Sequence, residues 1–295
     1  MDYAVDASLE IAVEHIRDKI SREQRQCYAY IEIITQWEGR LTQQHLQQEF
    51  GFGRSKTKKL LNEYLERQPN NLIYDASLKG HKPSEQFIPA YTQGHIDEYC
   101  RSELSDVIDI QLLEAPLRNI DPNLIRPILR AIRNQQRIDI GYQSLSSPDY
   151  ESRIISPHSL VFDGLRYHVR AHCEKNNAYR DFVLSRFCFE SEALKPEFEG
   201  PSTHGKEQDE EWNRQLVLKI EPDIRLNEQQ KRIIGLDYQM QQNEQGNWVR
   251  EIPVRAALAR YLLQRLRLDH YQQKPEAQQI VISQSCLKEF EPYLK

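Results

Sequence analysis

The stretch IISPHSLVFDGLRYHVRAHCEKNNAYRDFVLSRFCF, residues 154–189, decides the fold of the middle of this chain. Within it, Leu165–Cys173 alternates between apolar residues at odd positions and basic or titratable residues at even positions. Period two is typical of a β-strand with one face in a core. The following segment places Arg180 and Arg186 on the same parity as Phe182 and Leu184. We therefore predict neighbouring strands of one small sheet.

The polar face of the first strand is unusual, because it holds only basic or titratable residues: Arg166, His168, Arg170 and His172. Converging arginines beside aromatic rings suit a planar or phosphorylated anion. A basic sheet surface that is salt-bridged to its neighbours would show the same pattern. The pattern alone leaves both interpretations open.

Three runs in the stretch resemble the WYL domain family: Pro157–His158–x–Leu160, Gly164–x–Arg166–Tyr167–His168–x–Arg170–Ala171–His172, and Arg180–x–Phe182–x–Leu184–Ser185–Arg186. Arg166 and His168 stand where the family's name-giving run has Trp and Leu, and only Tyr167 is kept. This departure resembles the WYL regulators of bacterial anti-phage systems, of the BrxR and CapW type. The resemblance implies an α+β protein with an N-terminal winged helix-turn-helix, a central Sm-like β-barrel and a small α+β C-terminal domain.

The composition limits the classes of protein to which this chain can belong. The chain has 295 residues, a formal net charge of −5 and 28% charged residues, and its mean hydropathy is −0.73. These values predict a soluble cytoplasmic protein of two or three domains, with no membrane partner. Five cysteines without a CxxC motif favour neither disulfides nor a zinc finger. An acidic chain can still bind DNA when its docking face is basic.

The N-terminal part predicts a helix-turn-helix. Periodic apolar residues mark two helices, the first with Ile11, Ile16 and Ile20, and the second with Tyr28, Ile31, Ile34 and Trp37. Gly39 is the expected C-cap of the second, and Thr42 the N-cap of a short helix. The turn Phe50-Gly51-Phe52-Gly53 leads to a third helix over Lys56–Glu66, capped by Ser55.

Basic residues crowd the start of this third helix, where a recognition helix contacts bases and phosphates. The wing is predicted as strands at Leu72–Tyr74 and Phe87–Ile88 around a basic loop. Basic residues at a helix N-terminus oppose the macrodipole, so helix stability does not explain them. An ordinary solvated lysine face is the alternative. The candidate DNA-binding residues are Arg54, Ser55, Lys56, Thr57, Lys58, Lys59, Lys79, His81 and Lys82.

The remaining chain predicts three further parts. Residues 95–120 have helix and turn signals and form a connector, and Asp121-Pro122 opens another helix. A strand with Ile138, Ile140 and Tyr142 follows, and Pro196–Asp209 has the composition of a linker. The tail predicts strands at Leu216–Ile220, Trp248–Val254 and Ile280–Ile282, with helices at Glu228–Leu236 and Ala256–Leu266. The expected divisions are 1–94 winged helix, 95–120 connector, 121–205 WYL domain and 206–295 C-terminal dimerisation domain.

The candidate ligand site combines the basic strand face with nearby aromatic residues. Its predicted members are Tyr142, Ser144, His158, Tyr167, His168, Arg170, Arg180, Phe182 and Arg186. His168, His172 and Cys173 are a poor zinc set, since Cys173 has the opposite parity on the strand. We predict no cofactor, no metal and no catalytic residues.

The resemblance implies a homodimeric transcription regulator, with repression of a phage-defence operon as the expected role. A single recognition helix reads few bases, so we expect two copies on a double-stranded inverted-repeat operator. The WYL domain is expected to sense a nucleotide or short nucleic acid that lowers operator affinity. The alternative is a nucleic-acid-processing enzyme that uses the basic WYL face, although Asp163, Asp181 and Glu174 form no recognisable motif.

Overall fold

The computed structural model describes residues 20–102, 110–111, 116, 118, 120–149, 151–188 and 197–294. Its contacts divide the chain into two compact units, residues 1–113 and 114–295. The predicted helix with Ile11 and Ile16, and half of the predicted connector, lie outside the described residues. Within the described ranges, no helix is both long and apolar enough to span a bilayer.

The first unit has the elements of a winged helix. Helices α1 (Arg22–Glu38), α2 (Gln43–Phe50) and α3 (Arg54–Arg67) precede the antiparallel strands β1 (Leu72–Asp75) and β2 (Gly80–Pro83), and α4 (Ile96–Cys100) follows. Gly39 ends α1 with a positive φ of 71° and donates its amide to the Thr35 carbonyl. Gly51, with φ 64°, ends α2. The predicted helix-turn-helix is confirmed by these two glycine stops.

Two boundaries in this unit differ from the prediction. Helix α3 begins at Arg54 with Gly53 as its N-cap, so Ser55 lies inside the first turn and is not the cap. The second wing strand is Gly80–Pro83 and not Phe87–Ile88. The strand lies earlier in the sequence than predicted. His81 also exchanges backbone hydrogen bonds with Leu41, at 2.7 and 2.8 Å, and this bridge adds a third segment beside the hairpin.

The second unit begins with α5 (Pro122–Asn134), which Asp121 caps by accepting the Asn123 amide at 2.8 Å. It continues with β3 (Gln136–Tyr142), β4 (Glu151–Phe162), β5 (Tyr167–Cys173), β6 (Ala178–Val183) and β7 (Glu197–Pro201). The strands are antiparallel in the order β6-β5-β4-β3-β7. Their apolar face packs with α5 into one core, which includes Ile128, Ile138, Ile155 and Val169.

The expected closed Sm-like barrel is not found among the described residues. The sheet is open, with β6 and β7 as its edges. After a 3₁₀ turn at Leu184–Arg186, one bridge pairs Phe187 with Tyr142 of β3. The sheet therefore curls back on itself, but a single bridge is not the strand ladder that closes a barrel.

The C-terminal part is a second, smaller α+β layer. It contains α6 (Glu210–Asn213), β8 (Gln215–Pro222), α7 (Glu228–Asp237), β9 (Gln241–Gln242), β10 (Trp248–Arg255), α8 (Ala256–Arg265), α9 (Pro275–Gln278), β11 (Ile280–Ile282) and α10 (Leu287–Phe290). The strand order is β11-β8-β10-β9. All five strands and helices predicted for the tail are present.

The predicted linker over Pro196–Asp209 is only partly a linker. Its first residues form β7, which pairs with β3 across a bulge between Arg137 and Ile138. The sequence did not predict this strand, because Glu197–Pro201 contains charged residues, Gly and Pro. An edge strand with a half-solvated face does not need a run of apolar residues.

Candidate functional sites

The start of α3 presents the predicted basic surface. Arg54, Ser55, Lys56, Lys58 and Lys59 are exposed, whereas Leu60, Leu61 and Tyr64 of the same helix are buried. Thr57 does not belong to this surface. Its side chain is fully buried and its hydroxyl donates back to the Arg54 carbonyl at 2.9 Å.

The lysines on this surface differ in how they are held. Lys56 pairs with Glu23 at 2.8 Å and lies 3.7 Å from the centre of the Phe52 ring. Lys59 approaches Glu63 at 3.7 Å, with 77% of its side chain exposed. Within the described ranges, Arg54 and Lys58 have no ion pair. A phosphate can therefore contact Lys58 without breaking an existing contact, whereas contact with Lys56 competes with Glu23.

The wing carries the other predicted DNA-binding residues. Lys79 is exposed at the turn with a φ of 50°. Lys82 lies in β2 and pairs with Asp75 at 2.9 Å, and this lysine together with Ser77 lowers the pKa of Asp75. Burial lowers the pKa of His81, so its imidazole is neutral at pH 7. Lys79 is the wing cation that is best placed to meet a phosphate.

The two faces of β5 are both buried in the second unit. Val169, Ala171 and Cys173 lie in the sheet core, as the alternation predicts. His168, Arg170 and His172 on the other face are only 1%, 7% and 5% exposed. The basic face is therefore a buried polar interface and not a solvated surface.

Arg170 is held at the centre of this interface by two carboxylates. Its Nε and Nη2 donate to Asp209 at 2.7 and 3.1 Å, and its Nη1 lies 3.5 Å from Asp181. Burial favours the neutral guanidine, but the two carboxylates outweigh it and raise the pKa of Arg170. Burial likewise disfavours the Asp209 anion, yet Arg170 holds the pKa of Asp209 below its usual value. The chain thus supplies its own counterions, and charge balance does not require an external anion.

His158 binds the same carboxylate. Its side chain is 5% exposed, and Nε2 donates to Asp209 at 3.1 Å. Burial lowers the pKa of His158 despite the attraction of Asp209, so the ring is neutral at pH 7. Because the carboxylate can only accept, the proton is on Nε2, and Nδ1 accepts from the Ser159 hydroxyl at 2.9 Å. Asp209 therefore joins β4 and β5 to the segment that precedes the C-terminal layer.

A second polar group lies further along β5. His168 and Asp163 are 2.6 Å apart through Nε2 and Oδ2. The His168 ring lies 4.9 Å from that of Tyr261 in α8, and the Tyr261 hydroxyl donates to Asp181 at 2.9 Å. Burial and the Asp181 charge raise the pKa of Tyr261. These contacts join the sheet directly to the C-terminal layer.

One segment, residues 202–213, covers the rest of the basic face, and we refer to it as the strap. His204 stacks on His172 with ring centres 3.9 Å apart and planes at 8°. The Gly205 carbonyl accepts from the Tyr179 hydroxyl at 2.9 Å. Further along the strap, Asp209 accepts hydrogen bonds from Arg170 and His158, and the Trp212 ring lies 5.3 Å from the His158 ring.

The predicted ligand residues do not form one group. His158, His168 and Arg170 share the face under the strap. Arg180 and Phe182 lie opposite Ala171 and Val169, so they belong to the other face. Phe182 is buried in the core, and Arg180 is exposed within β6.

Four further predicted residues lie elsewhere. Tyr142 is a core residue whose hydroxyl accepts the Val183 amide at 3.0 Å, and Ser144 caps a turn by accepting the Ser147 amide at 3.0 Å. Arg186 lies in the 3₁₀ turn and not on a strand. Tyr167 has the apolar parity, but it extends past the core, is 45% exposed and packs on Phe162 at 4.7 Å.

Residues that the sequence did not single out complete the site. Asp209 is the most important, followed by Tyr261, Tyr179, His204 and Trp212. Asp209 had one local signal, since an Asp before Glu210–Asn213 is a typical N-cap, and it does accept the Trp212 amide at 3.1 Å. No group of three His, Cys, Asp or Glu side chains suited to a metal occurs in the described part of the chain.

Comparison with known proteins agrees with this architecture. Residues 23–102 match the BrxR transcriptional regulator winged helix-turn-helix domain, residues 123–188 the WYL domain, and residues 215–289 the BrxR transcriptional regulator C-terminal dimerization domain. The three regions define the class of winged-helix WYL regulators.

Curated relatives give the family. The chain is 31% identical over 271 residues to the DNA-binding transcriptional repressor CapW of Escherichia coli, covering 86% of each chain. It is 28% identical over 269 residues to CapW of Pseudomonas aeruginosa, again with 86% of each chain covered. CapW of Stenotrophomonas maltophilia is 26% identical over 255 residues, with 81% of this chain and 82% of the relative covered. The chain belongs to the CapW family.

Proposed function

We propose that this protein is a homodimeric DNA-binding transcriptional repressor. The observation that carries the proposal is the start of α3, where exposed basic residues stand on a helix whose other face is buried in a helix-turn-helix. The relatives named DNA-binding transcriptional repressors support it. Arg54, Ser55, Lys56, Lys58 and Lys59 contact the operator, with Lys79 and Lys82 of the wing on flanking phosphates and His81 supporting the hairpin.

The operator is double-stranded DNA with an inverted repeat. A two-fold dimer presents two copies of α3, and these read half-sites spaced by whole helical turns of roughly 10 bp. The match of residues 215–289 to a dimerization domain supports this arrangement. The regulated genes are those of a phage-defence operon, as expected from the resemblance to regulators of such systems.

The second unit senses a nucleotide or short nucleic acid. We assign its functional division at 121–205 for the WYL domain and 206–295 for the dimerisation domain, after the winged helix at 1–94 and the connector at 95–120. His158, His168 and Arg170 are the favoured ligand residues, because they lie together on one face. The Sm-like barrel remains part of the proposal: it would require further strand pairing in addition to the single bridge between Tyr142 and Phe187.

An operator-binding titration tests the DNA-binding role. Replacing Lys58 and Lys59 by Ala removes two exposed cations at the start of α3, and each lost phosphate contact lowers the slope of log K against log salt by about 0.9. We expect weaker binding and a slope that is shallower by roughly 1–2. Lys288→Ala, an exposed lysine of α10, is the control and leaves both values unchanged. An unchanged slope in the double variant would show that neither lysine contacts phosphate.

No observation favours the alternative enzyme. Each carboxylate beside the basic face is hydrogen-bonded to a basic or phenolic side chain: Asp163 to His168, Asp181 to Arg170 and Tyr261, and Asp209 to Arg170 and His158. Carboxylates in catalytic metal sites instead converge on a shared ion. Incubation of DNA and RNA with the protein and Mg²⁺ or Mn²⁺ tests this alternative, and we expect no cleavage.

A further inference from the structure

We infer that the strap is a built-in competitor of the ligand, and that the ligand is a phosphate-bearing nucleotide which displaces it. This inference rests on the proposed sensing function and gives it a mechanism. The strap places two different groups on the basic face of β5. His204 lays a planar ring on His172, and Asp209 lays an anion on Arg170 and His158.

The two groups have the spacing of neighbouring positions on one strand face. Arg170 and His172 are two residues apart on β5, which corresponds to about 7 Å. A planar ring and an anion joined over such a distance are also the two parts of a nucleotide. A nucleobase can stack on His172 where His204 does, and a phosphate can accept from Arg170 and His158 where Asp209 does.

The exchange replaces the anion and the acceptors that Arg170 and His158 lose, and a phosphate brings at least the negative charge that Asp209 removes. Removing Asp209 alone would leave the Arg170 guanidinium buried with Asp181 as its remaining carboxylate, at 3.5 Å. A buried cation whose remaining carboxylate lies at this distance is poorly compensated, which is costly. A phosphate that enters as Asp209 leaves restores two acceptors for Arg170 and one for His158. A neutral nucleoside cannot do this, so the phosphate is required.

Displacement has a route to the dimerisation domain. The strap continues directly into β8, and its last turn is tied to β10, since Arg255 donates to the Trp212 carbonyl at 2.6 Å and lies 5.0 Å from the Trp212 ring. Release of Asp209 therefore removes one of the connections between the sheet and the C-terminal layer, while the hydrogen bond from Tyr261 to Asp181 remains. We expect this release to change operator affinity through the layer that matches the dimerization domain.

The test compares the full-length wild type with Asp209→Asn, which keeps the shape of the side chain and removes its charge. Adenosine monophosphate and a 5′-phosphorylated DNA tetranucleotide are the two probes, and they distinguish a free nucleotide from a strand end. Adenosine and inorganic phosphate are the controls that lack one of the two groups. Glu207→Gln changes an exposed strap carboxylate and is the matched protein control.

We expect at least one phosphorylated probe to bind Asp209→Asn tenfold or more tightly than wild type, with adenosine binding neither protein. Glu207→Gln should bind as the wild type does. Equal affinity of wild type and Asp209→Asn for a probe that changes wild-type operator binding would overturn the strap mechanism while leaving ligand sensing intact. Failure of both probes to bind either protein would overturn the inference and the proposed nucleotide class.

Hydrogen–deuterium exchange gives a second readout that does not depend on the variant folding. In wild-type protein, a bound probe should increase amide exchange over residues 202–213 while decreasing it over β5. Unchanged or reduced exchange in the strap of a probe-bound protein would show that the strap is not displaced. If the strap is displaced but operator affinity stays the same, the inference holds and the sensing function fails.

Discussion

Glu32 shows how a single buried charge holds the winged helix together. Its side chain is fully buried in α1 and accepts the amides of Ala90, Tyr91 and Thr92 at 2.9–3.0 Å. The Tyr64 hydroxyl of α3 donates to the same carboxylate at 3.2 Å. Burial raises the pKa of Glu32 although these bonds counteract it. One carboxylate thus fixes the chain after the wing against both main helices.

Glu32→Gln tests this role. The amide nitrogen replaces an acceptor oxygen and leaves buried donors of residues 91 and 92 without a partner, at about 1–3 kcal/mol for each. We expect a clear loss of stability of the first unit, measured by chemical denaturation. Glu66→Gln, an exposed position of α3, should leave stability unchanged. An unaltered denaturation midpoint for Glu32→Gln would contradict the argument.

Three acidic residues make the second unit sensitive to acid. Burial opposes ionisation of Asp163 and Asp209, but His168 and Arg170 respectively outweigh it, and the pKa of each carboxyl falls below its usual 3.8. Arg225 does the same for Asp223. The folded state binds these protons less readily than the unfolded state, so their stabilisation is present above pH 3.8 and is lost as pH falls through the lower, folded values.

We therefore expect thermal unfolding of the protein to move to lower temperature between pH 5 and pH 2. Asp223→Asn should lower stability at pH 6 and weaken the pH dependence, because one of the three linked groups is gone. Calorimetry at several pH values measures both effects. A pH dependence that is the same in wild type and Asp223→Asn would exclude Asp223 as a contributor.

At the level of elements, local signals gave most of the fold and few of the site contacts. Apolar periodicity and caps located the helix-turn-helix and the tail, because those signals act within a few residues. The partners of Arg170 were not predictable in this way. Asp209 is 39 residues further along the chain and lies in a segment with the composition of a linker. Alternation revealed that β5 has a basic face, but not what covers it.

The packing of α7 on β10 depends on one glycine. A Cβ at Gly235 would lie 2.7 Å from the Trp248 ring, closer than real contacts allow. Gly235→Ala should force the helix away from the sheet and destabilise the C-terminal layer by about 1–3 kcal/mol, despite the better helix propensity of Ala. Arg232→Ala, on the exposed side of α7, is the control. Equal thermal stability of Gly235→Ala and wild type would mean that the ring can move aside.

For the whole molecule, the dimer is the main expectation. Ile233 and Leu236 of α7 are 57% and 65% exposed within a region that matches a dimerization domain. Because these two apolar side chains are three residues apart on one helix, we expect them to contribute to the interface. We expect Ile233→Glu with Leu236→Glu to yield monomers in sedimentation experiments and to weaken operator binding. Leu145→Glu, at a residue that is 88% exposed outside that region, should remain dimeric. A dimer that survives the double change would place the interface elsewhere.

Asp209 is covalently part of the site that it fills. A tethered group has an effective local concentration in the millimolar range, which does not fall when the protein is diluted. In the proposed displacement, an incoming phosphate has to exceed that fixed competition before it occupies Arg170 and His158. A sensor built in this way would have a threshold set by its own sequence, so that it would ignore low resting levels of a signal and respond once the signal accumulates.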